Sequence, residues 1–173
     1  RHSREEYLDL ISLLRETVPG IKISTDVIVG FPGESQKDFE LTLSLVEQVG
    51  YHGMFSFKYS PRPNTLASKK MRDNVAEEEK TARIVSLQLL QRNIQTELNR
   101  EVIGKTVEVL IDTVSNRGKT ELSGRTSGNT LVSFPSPDTQ KEEFAMSSCV
   151  GHLAKVNVKK AGPHSLWGEL SVD

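Results

Sequence analysis

Apolar residues recur along the first hundred positions at two different intervals. Tyr7, Leu10, Ile11, Leu14 and Val18 follow one another at helical spacing. Ser3-Arg4-Glu5-Glu6 has the spacing of a capping box, in which a serine and a glutamate three residues on each satisfy an amide of the other. The pattern predicts a helix over 4–18, ended by Pro19-Gly20. Ile21 to Val29 is β-branched and apolar around Ser24, Thr25 and Asp26, the composition of a buried strand. Gly30-Phe31-Pro32-Gly33 turns the chain, and Ser35 and Asp38 offer a second cap. Phe39, Leu43, Val46 and Val49 then mark the inner face of a helix that stops at Gly50. Met54 to Tyr59 predicts a second strand. After a loop opened by Pro61-Arg62-Pro63-Asn64, a long helix over 76–100 carries Ile84, Leu87, Leu90, Ile94 and Leu98 on one side.

Helix, strand, helix, strand with short connections is the order of a parallel α/β sheet. Two strands can neither fill a sheet nor close a barrel, so further strands are expected ahead of Arg1, and the first half is expected to be marginally stable alone. From Gly104 the period changes to two: Val107, Val109 and Ile111 alternate with Thr106, Glu108 and Asp112. Further strands are expected near 119–126, 130–134, 153–160 and 165–172, separated by Gly, Asn, Ser and Pro. Five short strands predict a small antiparallel, OB-like β-barrel, which removes exposed edges by closing. The fold class is therefore α/β over 1–101 followed by all-β over 102–173.

Composition narrows the partners. In 173 residues the hydrophobic share is 36%, enough for a core, and the net charge of -1 leaves no bulk basic field. A nucleic-acid partner must therefore meet a local basic patch. No apolar run approaches the roughly 20 residues that span a bilayer, so no membrane segment is expected. No basic, apolar, then small pattern opens the chain, and its start without Met reads as a cut. Cys149 is the only cysteine. A lone thiol makes no internal disulfide and no cysteine-ligated metal site by itself, so no metal is assigned; a reducing, cytoplasmic setting and a monomer are the defaults.

Three segments carry candidate chemistry. In the first, Ser24 to Glu34, placing Val27 and Val29 toward the helices puts Ser24, Asp26 and Ile28 on the opposite face, while Gly30 lets backbone approach a ligand. Asp26 at mid-strand wants a donor, as an ion-pair partner or as part of a site. In the second, Phe55 to Thr65, placing Phe55, Phe57 and Tyr59 toward the helices points Ser56, Lys58 and Ser60 the other way. Lys58 would then pair with Asp26 or reach the rim. Arg62, stiffened by a proline on each side, can present its guanidinium to a phosphate or carboxylate. In the third, Gly124 to Pro135, Arg125 can bind phosphate, Asn129 can bond a base edge or shape a turn, and Phe134 can stack a base or fill the core. Lys105, Arg117, Lys119, Lys159 and Lys160 add positive charge to this half.

Asp26-Val27-Ile28-Val29-Gly30-Phe31-Pro32-Gly33-Glu34 resembles the strand and turn near the end of the barrel in radical-S-adenosylmethionine methylthiotransferases. Lys58-Tyr59-Ser60-Pro61-Arg62-Pro63-Asn64-Thr65 resembles the next strand and loop in the tRNA-modifying branch of that family, with Asn64 where glycine is usual. Arg62-Pro63 differs from the acidic residues of the ribosomal-protein branch. The third segment resembles the signature of the TRAM domain, an RNA-binding β-barrel. The resemblance implies a C-terminal portion of a radical-SAM, partial TIM-like barrel over 1–101 and a TRAM domain over 102–173.

It further implies S-adenosylmethionine and two 4Fe-4S clusters in the complete enzyme, and a methylthio group placed at C2 of an N6-isopentenyladenosine beside the anticodon. Ser24, Asp26, Ile28, Gly30, Lys58, Tyr59 and Ser60 would line part of the cofactor pocket. Arg62, Lys105, Arg117, Lys119, Arg125, Asn129, Phe134 and Lys159 would meet the tRNA anticodon arm. The family's cluster cysteines have no counterpart here, so this chain alone is expected to bind no cluster and to be inactive. No catalytic acid, base or nucleophile is named, because the cofactor carries radical chemistry. A threonylcarbamoyladenosine or ribosomal-protein substrate, or a non-catalytic RNA-binding module, are the alternatives.

Overall fold

The computed structural model describes residues 3–114, 121–136 and 148–171. The chain divides into two compact units, Arg1–Gln95 and Thr96–Asp173.

The first unit begins with α1 (Arg4–Thr17), whose capping box is complete: the Glu6 amide donates to Ser3 Oγ at 3.2 Å and the Ser3 amide donates to Glu6 Oε2 at 2.6 Å. It continues through β1 (Ser24–Val29), α2 (Gln36–Val49) and β2 (Gly53–Lys58). Ser35 and Asp38 form a second capping box, which holds the Asp38 carboxyl below its usual range chiefly through the Ser35 hydroxyl. Gly50 closes α2 in the left-handed conformation, where a side chain would be strained. β1 and β2 pair in parallel, with Asp26 opposite Phe55 and Ile28 opposite Phe57. This is a βαβ unit, whose crossover helix is α2.

The short α3 (Leu66–Lys70), which the sequence pattern does not predict, follows the proline-rich loop; α4 (Glu77–Arg100) comes next. Ile11, Val29, Phe39, Val46, Val49, Tyr51 and Leu87 form the core of this unit. Tyr51 shares a 2.7 Å hydrogen bond with Tyr7, and burial together with that bond pushes its phenol well above its usual range.

The phase of β2 differs from the expectation. Phe55 and Phe57 are 67% and 53% exposed, on the face that also carries Asp26 and Ile28. Ser56 and Lys58 instead turn toward α4: Gln88 donates to Ser56 Oγ at 3.1 Å, and the Lys58 ammonium meets Glu77 and Thr81. The expected Lys58–Asp26 pair is therefore absent. α4 offers polar partners at this place, so the polar positions of β2 face the helix and the aromatic ones face outward.

The second unit is built from β3 (Thr106–Val114), β4 (Glu121–Arg125), β5 (Leu131–Pro135), β6 (Leu153–Ala161) and β7 (Ser165–Leu170), which form a closed five-stranded barrel of order β3-β4-β5-β7-β6. Four of its pairings are antiparallel, but β5 and β7 close the barrel in parallel, which corrects the all-antiparallel expectation. Its core is Val109, Ile111, Leu122, Val132, Phe134, Val156, Val158 and Leu166. The last turn of α4 joins this unit, where Asn99, 6% exposed, donates to the Gly162 carbonyl at 2.8 Å. That contact accounts for a division after Gln95 where the sequence suggested Glu101.

Candidate functional site

At the C-terminal ends of β1 and β2 the strands splay into a hollow of about 460 Å³ lined by Ile28, Phe31, Phe57, Tyr59, Ser60 and Arg62, with Lys58, Thr65 and Ala67. Its shape follows from the turn after β1. Gly30, at φ +71°, reverses the chain and brings Phe31 edge-on to Tyr59, ring centroids 5.0 Å apart. The turn is fixed from behind by two buried cations of α4. Arg83, 3% exposed, donates to Glu34 Oε2 at 2.6 Å, and the same oxygen accepts the Gly30 amide at 2.6 Å. Lys80, 4% exposed, pairs with Asp73 at 2.6 Å and lies 5.6 Å from the Tyr59 ring centre. Both cations are out of water yet paired, so removing their carboxylates would strand a buried positive charge.

The expected cofactor residues do not all meet. Ile28, Lys58, Tyr59 and Ser60 line the hollow, whereas Gly30 forms the turn behind it. Ser24 and Asp26 are exposed nearer the other end of β1. Asp26 borders a separate hollow of about 370 Å³ with Ser3, Arg4, Tyr7, Thr25 and Tyr51. The Lys58 ammonium is committed to Glu77, whose carboxyl it holds below its usual range. Phe31 and Phe57 line the hollow although the sequence reading passed over them; the only signal was their aromatic character beside a strand end.

On the barrel, the register sets Leu153, Leu110, Arg125 and Leu131 in a row across three neighbouring strands and β4. Arg125 donates from Nη1 to the Asn129 carbonyl at 3.2 Å and to Asn129 Oδ1 at 3.1 Å, and its Nε is 3.5 Å from Asp112. Asn129 occupies the left-handed region at φ +60°, so it shapes the β4–β5 turn and aims Arg125 at once. The Arg125–Asp112 pair is half in solvent and is worth little, so a phosphate can compete for the guanidinium.

Lys105 is exposed, and Lys159 lies 3.9 Å from Glu169. Lys160 sits 5.3 Å from the Trp167 ring centre, and Trp167 donates to Glu121. Phe134 is wholly buried in the barrel core, which overturns its reading as a base-stacking residue: the alternation of β5 turns it inward between Leu122 and Val132. Arg117 and Lys119 lie outside the described residues. Among the described residues no three His, Cys, Asp or Glu side chains gather as a metal site, and no helix is long and apolar enough to cross a membrane.

The second unit is a closed five-stranded barrel with a turn-held arginine beside its β4–β5 turn, an OB-like architecture, and residues 100–171 match the family model of the TRAM domain. Similarity to curated relatives extends beyond that match along nearly the whole of this chain. It is 44% identical over 168 residues to the tRNA-2-methylthio-N(6)-dimethylallyladenosine synthase of Solibacter usitatus, covering 97% of this chain. It is 43% identical over 169 residues to the enzyme of that name from Parabacteroides distasonis, and 45% over 170 residues to that from Koribacter versatilis, covering 98% of this chain in each case. The chain spans about a third of the length of these relatives, 36%, 35% and 36% respectively.

Proposed function

We propose that this chain is the C-terminal part of a tRNA methylthiotransferase that places a methylthio group at C2 of N6-isopentenyladenosine next to the anticodon. The observation that carries the reading is the end-to-end similarity to synthases so named, across both units and through the TRAM match.

Residues 1–101 are read as the C-terminal portion of a radical-SAM barrel. A parallel pair with Ile28, Phe55 and Phe57 exposed on one face is what remains when a barrel's other strands are supplied from elsewhere. The hollow at the strand ends suits half of an S-adenosylmethionine site: Ile28, Phe31 and Phe57 offer an apolar wall for a purine ring, and Ser60 an adjacent hydroxyl. The cofactor, when bound, supplies the radical chemistry. Phe31 and Tyr59 orient it and exclude water, held by Lys80 and Arg83 from behind. Ser24 and Asp26 belong to the same open face, farther from the strand ends. Iron–sulfur clusters do not fit the residues present, since Cys149 is the only cysteine, and no step is assigned to them.

Residues 102–173 grip the anticodon arm. Arg125, Lys105 and Lys159 meet phosphates, Asn129 orients Arg125, and Arg62 adds a cation at the mouth of the hollow. The setting is the cytoplasm, and the working form is a monomer.

Nucleoside mass spectrometry of tRNA from a strain lacking the gene tests the reading. Loss of 2-methylthio-N6-isopentenyladenosine with accumulation of N6-isopentenyladenosine is expected. An unchanged level of the methylthio nucleoside would refute it, and loss confined to the threonylcarbamoyl nucleoside would move the substrate.

A further inference from the structure

Between Pro61 and Arg72 the chain carries four cations, Arg62, Lys69, Lys70 and Arg72, and no acid. All four are exposed, and none has a side-chain partner among the described residues. Their isolation is not for want of nearby carboxylates. Of the four acids that come next, Asp73 is held by Lys80, Glu77 by Lys58 and Glu79 by Arg83. The neighbouring negative charge is spent on fixing β2 and α4, and the field of the segment stays positive.

We propose that residues 61–72 form a second nucleic-acid surface, which binds the phosphates of the single-stranded RNA whose base is presented to the hollow. The inference rests on the tRNA reading above and adds to it a phosphate grip in the first unit, separate from the barrel.

Three features favour RNA over another anion. First, the segment borders the hollow itself: Arg62, Thr65 and Ala67 are part of its wall, and Lys70 follows Ala67 by three residues, on the same side of the α3 turn. Cations therefore stand at the edge of the hollow read above as the cofactor's, where the target base must arrive with its phosphates beside it. Second, the segment is ordered before any ligand arrives. Prolines flank Arg62, Thr65 Oγ1 donates to the Arg62 carbonyl at 2.9 Å and accepts from the Ser68 amide at 3.2 Å, and Asn64 holds a left-handed turn at φ +68°. Little backbone freedom is lost on binding. Third, the cations stand within one short stretch of chain, matching a phosphate backbone better than a single carboxylate.

The test is fluorescence-anisotropy titration of the full chain with an anticodon stem-loop RNA across a salt series. It compares the unaltered protein, the Lys69→Ala/Lys70→Ala/Arg72→Ala variant, Arg125→Ala, and the conservative Lys69→Arg/Lys70→Arg variant. Each lost contact to single-stranded phosphate lowers the slope of log K against log salt by about 0.7, so the triple alanine variant should lose roughly two units and bind at least about tenfold more weakly at low salt. The arginine variant should keep the slope. These are exposed side chains, and an unchanged circular dichroism spectrum confirms that the fold survives. An unchanged slope in the triple variant, with Arg125→Ala still lowering it, overturns the second surface while leaving the tRNA reading intact. Absence of binding by the unaltered chain overturns both. Tighter binding to polyglutamate than to the RNA overturns the assignment of phosphate as the ligand.

Discussion

The stem of Lys80 fills the space a side chain would need at Gly30: a Cβ there would lie 2.4 Å from Lys80 Cγ. Gly30 also sits at φ +71°, a conformation L-residues avoid, so two independent constraints require glycine. Because Lys80 is buried and tied to Asp73, its stem cannot swing away. Gly30→Ala should destabilise the chain by about 2–4 kcal/mol, combining left-handed strain with overpacking. Urea denaturation measures this, and a loss below about 1 kcal/mol would show that the turn can relax.

Glu34 is the hub of the same turn, accepting from both the Gly30 amide and Arg83. Arg83→Met should cost about 3–5 kcal/mol because it leaves a carboxylate buried without its cation. Adding Glu34→Gln should recover part of that loss. A double-mutant cycle with no coupling would contradict the buried pair.

In the barrel, Gly124 faces the Leu110 carbonyl so closely that a Cβ would lie 2.1 Å from its oxygen. That neighbour is backbone, so the strands themselves would have to part. Gly124→Ala should lower the melting temperature of the barrel by several degrees at least, consistent with a penalty of roughly 1–3 kcal/mol. Gly151→Ala, where open space surrounds the position but φ is +88°, should be limited to backbone strain of about 1–2 kcal/mol. Equal thermal shifts that match the strain alone would argue against tight closure at Gly124.

Three of the four helices, α1, α2 and α4, and the strands of the barrel were legible from the period of their apolar positions, with caps in agreement on α1 and α2. Ser3 and Glu6, and Ser35 and Asp38, announce their helices by chemistry that the structure reproduces bond for bond. β2 was not legible in phase. Alternation shows that Phe55 and Phe57 share a face, but it cannot say which face a helix covers, and α4 covers the polar one with Gln88, Glu77 and Thr81. The same ambiguity made Phe134 look available for stacking, when register with Leu122 places it in the core. Lys80 and Arg83 escaped notice because they lie on a long amphipathic helix, where basic residues ordinarily face solvent.

The Lys58–Glu77 pair predicts a pH effect. Glu77 is held below the usual carboxylate range, first by the Lys58 hydrogen bond. A depressed native pKa means the pair's stabilisation is fully present above the unfolded value of about 4.3 and is lost as pH falls through the lower native value. The melting-temperature gap between the unaltered chain and Lys58→Met should therefore be open near neutrality and close in acid. A gap that stays constant through that range would remove the pair from the account.

The function proposed for the hollow depends on β1 and β2 being an open piece of a larger sheet, in contrast to the closed barrel of the second unit. Amide hydrogen exchange on this chain tests that contrast directly. Val27 to Val29, in a two-stranded sheet, should exchange orders of magnitude faster than Val109 to Ile111, whose strand has β4 on one side and β6 on the other within the barrel. Equal protection of the two segments would mean that the first unit is complete in itself, and would contradict the half-site.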